Sequence, residues 1–149
     1  MRTVTTDKDV IEPIIQQATV CRVAMSDEDR PYVVPVSFGY EDGTLYFHSS
    51  AEGKKVDILR KNNTVCVEFE ADQEIAKAAS VCSWDVRYRS VIGFGRAFFV
   101  EDVEEKRRAL DAIVAHYGGD PQNYPQATLR KMAVVRIEIH DATAKVSGY

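Results

Sequence analysis

At 149 residues the chain has the length of one domain around one core, and 45% hydrophobic with 28% charged residues is a globular rather than a disordered composition. A net charge of −4, without a basic run or an aromatic-plus-arginine ladder, argues against nucleic acid as the main ligand. Apolar runs break every few residues and MRTVTTDKDV has no apolar signal-peptide core, so the expectation is a cytoplasmic protein with no membrane partner.

Val10, Ile11, Ile14 and Ile15 behind Thr6-Asp7-Lys8-Asp9 predict a short amphipathic helix, capped by Thr6, that ends near Ala18. Pro13 removes one of its hydrogen bonds. A strand from Val20 to Met25 follows, closed by the turn-like Ser26 to Asp29. Tyr32, Val34, Val36 and Phe38 then alternate with Val33, Pro35 and Ser37, and Leu45 and Phe47 alternate with Tyr46 and His48. With Asp42-Gly43 between them, the two runs predict a hairpin.

The polar turn His48-Ser49-Ser50-Ala51-Glu52-Gly53 leads into a helix that opens with Lys54-Lys55, carries Val56 and Leu59 on one side, and ends at Asn62-Asn63 in a left-handed cap. Thr64 to Glu70 resumes strand alternation, and Ala71 to Ala79 reads as a loop with one helical turn. A long run from Val81 to Val100 contains Gly93 and Gly95, which inside a strand mark a bulge, a bend or a close backbone approach. This G-x-G lacks the strand-turn-helix setting of a dinucleotide fingerprint.

Asp102 with Glu105 forms a capping box, an apolar stripe runs from Val103 to Tyr117, and Gly118-Gly119 stops that helix. After a loop from Asp120 to Pro125 and a short turn from Gln126 to Lys131, the last strand begins near Met132. Its apolar positions switch from odd to even near His140-Asp141, which predicts an irregularity there. The whole reads as a single domain over residues 1–149, mainly β with flanking helices (α+β). Six or so antiparallel strands form a small barrel with the helices outside.

Cys21, Cys66 and Cys82 are widely spaced and lie in or beside strand-like runs, so they predict buried thiols rather than disulfides or a metal site. Lysines at a helix start oppose the macrodipole by a few tenths of a kcal/mol, typically about 0.3–1 kcal/mol, and an anion reverses the sign. Ser49, Ser50, the free N–H groups of that helix start, Lys54 and Lys55 therefore make a phosphate cradle; the bland alternative is two solvated lysines behind a serine cap. His116 suits a helix C-terminus and His140 a polar strand position. Trp84, Tyr88 and Arg89 fit a substrate pocket and a dimer interface equally well.

The segments VVPVSFGYEDGTLYFHSSAEGKKVDILRKN, VCVEFE and YRSVIGFGRAFFVEDVEEKRRAL, in that order, resemble the pyridoxamine 5′-phosphate oxidase-like FMN-binding split-barrel superfamily, and within it the nitroimidazole-resistance type of flavin reductase. The resemblance covers most of the chain. It implies a six-stranded antiparallel split β-barrel and a homodimer with FMN at the interface. It places the phosphate beside His48, Ser49, Lys54 and Lys55, with the ring on the strand Val34, Pro35, Val36, Ser37 and Phe38.

The activity so implied is NAD(P)H-driven reduction of a small acceptor such as a nitro-aromatic or quinone-like compound, with His48 close to the flavin as the catalytic candidate. The second class is a non-catalytic flavin- or haem-binding storage or sensor protein, with His48 or His116 as haem ligand. Pyridoxamine 5′-phosphate oxidase activity itself is disfavoured. Those oxidases carry an arginine where Val33 stands, a lysine near Phe38 and a basic C-terminal substrate motif that AKVSGY does not match.

Overall fold

The computed structural model describes residues Met1–Tyr149. In chain order the elements are β1 (Arg2–Thr5), α1 (Lys8–Gln17), β2 (Cys21–Asp27), β3 (Arg30–Val36), β4 (Gly39–Glu41), β5 (Thr44–Ser50), α2 (Lys54–Lys61), β6 (Thr64–Ala76), β7 (Asp85–Phe99), α3 (Val103–His116), α4 (Gln126–Lys131) and β8 (Met132–Ser147). One antiparallel sheet runs β3-β2-β6-β7-β8-β5-β4, and β1 also pairs with β8. It has eight strands, not six.

The two terminal strands β3 and β4 are not paired with each other, yet only Ser37 and Phe38 separate them in the chain. Three residue steps span at most roughly 11 Å, so the sheet must curl almost fully round its contents. The result is a split barrel, closed by covalent chain where a hydrogen-bonded ladder would otherwise be. Asp42-Gly43 does make a turn, but it joins β4 to β5, whereas the Tyr32 run pairs with β2. The predicted long hairpin is therefore corrected: one run of alternating residues breaks at Ser37-Phe38 and serves both edges of the sheet.

Inside the curl, Phe38, Phe47 and Phe69 are fully buried with Val23, Val67, Leu45 and Ile137. The edge of the Phe38 ring meets the Phe69 ring at 5.2 Å between centroids. Ile11, Ile14 and Ile15 of α1 close one end of this core. The cap of α1 is Asp7, whose carboxylate accepts from the Asp9 N–H, and not Thr6.

The bend of β8 falls where the sequence put it. Phe94 pairs with Asp141 and Gly95 with Ile139, so His140 is the extra residue of a bulge. A Cβ at Gly95 would sit 2.0 Å from the Glu138 carbonyl oxygen, which only glycine allows. Beyond the bulge β8 changes neighbours on one side, from β5 to β1.

Of the predicted loop over residues 71–79, residues 71–76 are strand instead and only 77–79 are irregular. After Asp72 at φ 56°, β6 resumes and pairs Glu74 to Ala76 with Arg87 to Asp85 of β7. The ladder overrides a local helical preference. A two-stranded ribbon results, closed by a 3₁₀ turn over Val81–Ser83 that also holds Cys82 exposed rather than buried. Asn62 caps α2 in an extended conformation, φ −142°, in place of the predicted left-handed one, because its side chain accepts from the Thr64 N–H and starts β6. No helix is long and apolar enough to cross a membrane.

Candidate functional site

The start of α2 is open. Gly53 is its N-cap at φ 138° and ψ 171°, a region essentially restricted to glycine, and no side chain caps the helix. The serines do not fill that role: Ser49 Oγ donates to the Ser50 carbonyl at 2.8 Å, and Ser50 Oγ accepts from the Glu52 N–H. The first intrahelical bond runs from Asp57 N–H to the Gly53 carbonyl. The N–H groups of Lys54, Lys55 and Val56 thus point out of the helix without an intrahelical acceptor.

A cleft of about 240 Å³ lies over these groups, lined by Tyr32, Val34, Ser49, Ser50, Glu52, Gly53, Lys54, Lys55 and Val56. The Lys54 ammonium stands over the Tyr32 ring at 4.7 Å and that of Lys55 over the Phe47 ring at 5.5 Å. Neither lysine takes part in an ion pair. Burial holds the Lys55 pKa below its ordinary value, so its charge is only partly compensated by water. Open N–H groups at a positive helix end and two unpaired ammonium groups, against the single carboxylate of Glu52, give the cleft a positive balance of the kind that suits an anion.

The adjoining shelf divides by strand parity. Val34 lines the cleft, Val36 and Phe38 face the core, and Pro35 and Ser37 are exposed on the other side. Because β3 is a terminal strand, one edge of its backbone lacks a ladder partner and can meet polar groups of a planar ring. Phe38 is unavailable for side-chain contact: it is fully buried, its N–H bonds to the Tyr117 hydroxyl, and its ring lies 4.1 Å from that of His116.

The structure brings Val34, Ser49, Lys54 and Lys55 together, and adds Tyr32 and Gly53, which sequence reasoning missed. Gly53 had a signal, a glycine immediately before a helix that lacks a cap residue. His48 does not line the cleft. It is exposed and alternates with the buried Phe47 on β5. His116 is engaged, its Nε2 2.6 Å from the Ala18 carbonyl oxygen. Trp84, Tyr88 and Arg89 lie on or beside the ribbon and β7, away from the cleft within one chain. Trp84 donates to the Ala78 carbonyl, and Arg89 pairs with Asp72.

A larger cavity of about 410 Å³ lies between α1, the Asp42-Gly43 turn and the β8 bulge. Its charged lining is Lys8 against Glu12, Asp42 and Asp141, the wrong balance for a phosphate. The Tyr40 hydroxyl there donates to Glu12 Oε1 at 2.8 Å; burial and then Glu12 raise the Tyr40 pKa, so the phenol stays protonated. Charge, not size, therefore selects the smaller cleft.

A sequence model described as pyridoxamine 5′-phosphate oxidase matches residues 7–146. A candidate 5-nitroimidazole antibiotic resistance protein from Bacteroides thetaiotaomicron VPI-5482 is 41% identical, with a TM-score of 0.87 over 98% of this chain and 87% of that one. The FAD and heme binding protein from Mycobacterium smegmatis shares the fold at a TM-score of 0.83 and 18% identity, over 98% of this chain and 74% of that one. A curated relative from Rhizobium meliloti (strain 1021), named Uncharacterized protein RA0666, is 28% identical over 89 residues. The match takes in 60% of this chain and spans about half, 52%, of that relative's length. On the match over residues 7–146 and the 41% identity across almost the whole fold, the chain belongs to the pyridoxamine 5′-phosphate oxidase family.

Proposed function

We propose that this protein is an FMN-dependent oxidoreductase that works in the cytoplasm as a homodimer, taking electrons from NADH or NADPH and passing them to a small acceptor of the nitro-aromatic or quinone type. The observation that carries the reading is the pair of unpaired lysines at an uncapped helix start, beside the free edge of β3. Lys54, Lys55 and the first N–H groups of α2 hold the phosphate, and Ser49 lies against it. The backbone of Val34 to Phe38 meets the polar edge of the ring. The flavin, when bound, supplies the hydride and electron chemistry, and this chain supplies position and charge.

At about 240 Å³ the cleft falls below the roughly 300–1,000 Å³ of sites that enclose a ligand of that size. A second copy supplies the remaining wall. The outer face of the sheet offers an apolar stripe for that contact, and the Trp84, Tyr88 and Arg89 region extends it. His48 is the one exposed imidazole near the β5 end and comes to the chemistry from that open side.

The resemblance to a candidate nitroimidazole-resistance protein supports this acceptor class. Titration of the purified protein with FMN, followed by flavin fluorescence, tests the reading: one saturable site per chain is expected, and anaerobic NADH or NADPH should then bleach the bound flavin. Absence of flavin binding removes it. A second reading, flavin or haem storage without turnover, is favoured by one observation, the exposed and unengaged His48 in a fold shared with an FAD and heme binding protein. A haemin titration that yields a Soret band lost in His48→Ala selects it.

A further inference from the structure

The two cleft lysines are held differently. Lys55 rests over Phe47, a fully buried core side chain, whereas Lys54 rests over Tyr32, which is half-buried and itself lines the cleft. Tyr32 comes from β3 and Lys54 from the first turn of α2, so the contact also ties the edge strand to the helix start. A lysine without a carboxylate partner ordinarily samples many rotamers, and ordering it on ligand capture costs free energy. A ring face at 4.7 Å favours one of those rotamers and, unlike a carboxylate, adds no opposing charge.

We infer that Tyr32 is a positioning residue of the anion site: its ring holds the Lys54 ammonium at the mouth of the cleft and keeps it there while the phosphate is bound. The inference rests on the flavin reading for the identity of the anion, and not for the role of the ring. It makes Tyr32 selective for the phosphate end of a ligand, because nothing in the contact concerns the ring system.

The test titrates wild type, Tyr32→Phe, Tyr32→Leu, Lys54→Met and the Tyr32→Leu/Lys54→Met double variant with FMN and with riboflavin, which lacks the phosphate. Tyr32→Leu should weaken FMN about two- to fivefold, the factor that corresponds to the ~0.5–1 kcal/mol of an exposed cation–π contact, and leave riboflavin unchanged. Tyr32→Phe keeps the ring and should bind as wild type, which also controls for folding. In the Lys54→Met background the leucine substitution should add nothing.

An unchanged or improved FMN-to-riboflavin ratio in Tyr32→Leu, or a loss that persists without Lys54, overturns the inference. If wild type binds neither flavin, the flavin reading has failed by itself. Calorimetric titration with inorganic pyrophosphate then carries the same comparison, and no pyrophosphate binding overturns the role of Tyr32 as well.

Discussion

Two neighbouring rows of the sheet, one residue apart, follow opposite rules. On the inner side Val34, Val23, Val67 and Gly93 lie in register across β3, β2, β6 and β7, and all but the edge residue Val34 are buried. On the outer side the next row is Val33, Ala24, Cys66 and Phe94, equally free of charge, yet Val33 is 58% and Phe94 52% exposed. A sheet with one wet face normally alternates apolar with polar residues. The neighbouring outer row follows that rule, with Arg22 paired to Glu68, so the outer face carries one apolar row bordered by charge, suited to the contact surface proposed above. The cleft lies beside the edge strand β3, and in the proposed dimer a second copy completes the enclosure that one chain leaves open.

Substitutions separate the two faces most sharply at Phe38. Phe38→Ala should destabilise the fold by about 3–5 kcal/mol in chemical denaturation, as a large buried ring replaced by a cavity. A loss under 1 kcal/mol would mean that the Ser37-Phe38 crossing does not seal the barrel. Next in size, Lys55→Ala should weaken FMN by at least about 1.5 kcal/mol, the lower range for a hydrogen bond to a charged group, with the thermal midpoint retained.

The same lysine sets a pH limit. Its pKa is lowered by burial, so its ammonium form, which on the proposed reading meets the phosphate, is lost as pH rises, beginning below the ordinary lysine range of about 10.4. FMN affinity should hold through neutral pH and fall on the alkaline side, and in Lys55→Ala the onset of that fall should move to higher pH. Gly53→Ala should cost about 1–3 kcal/mol of stability from backbone strain alone, since no atom lies within 4 Å of a Cβ there. The same change should turn the first N–H groups of α2 away from the cleft.

The smallest effect on the chain's own fold, under about 0.5 kcal/mol, is expected at Phe94→Glu on the outer row. Sedimentation should nevertheless show the dimer converted to monomers. A wild-type protein that sediments as a monomer would break the comparison at its root, because the outer stripe would then need no cover.

Much of this was legible where local chemistry decides local structure. The Asp102 carboxylate does accept from the Glu105 N–H, and Gly118 at φ 82° with the Gly119 N–H on Val114 does end α3. The parity switch at His140 located the bulge, and Lys54-Lys55 lie, as the sequence spacing implies, at the start of α2, where they line a cleft. Apart from the two helix caps at Asp7 and Asn62, the failures share a cause, because long-range pairing is invisible in a run of alternating residues. Tyr32 to Phe38 has the same period whether it pairs with β5 or with β2, and nothing local shows that it serves two edges. Residues 71–76 follow their partner on β7 against their own preference. Tyr32 reaches the cleft only because the curl carries β3 to the start of α2.

The pairing of β1 with β8 joins residues at opposite ends of the sequence, Arg2 with Ser147 and Thr5 with Ala144. Closing a loop of that length before any contact rewards it is slow and entropically costly. The β6, β7 and β8 ladders, by contrast, need only the connections between neighbours. The expected order of assembly is therefore a central meander that forms early and a first strand that waits for the last. In hydrogen exchange the amides of Arg2 to Thr5 should open well before those of Val65 to Phe69.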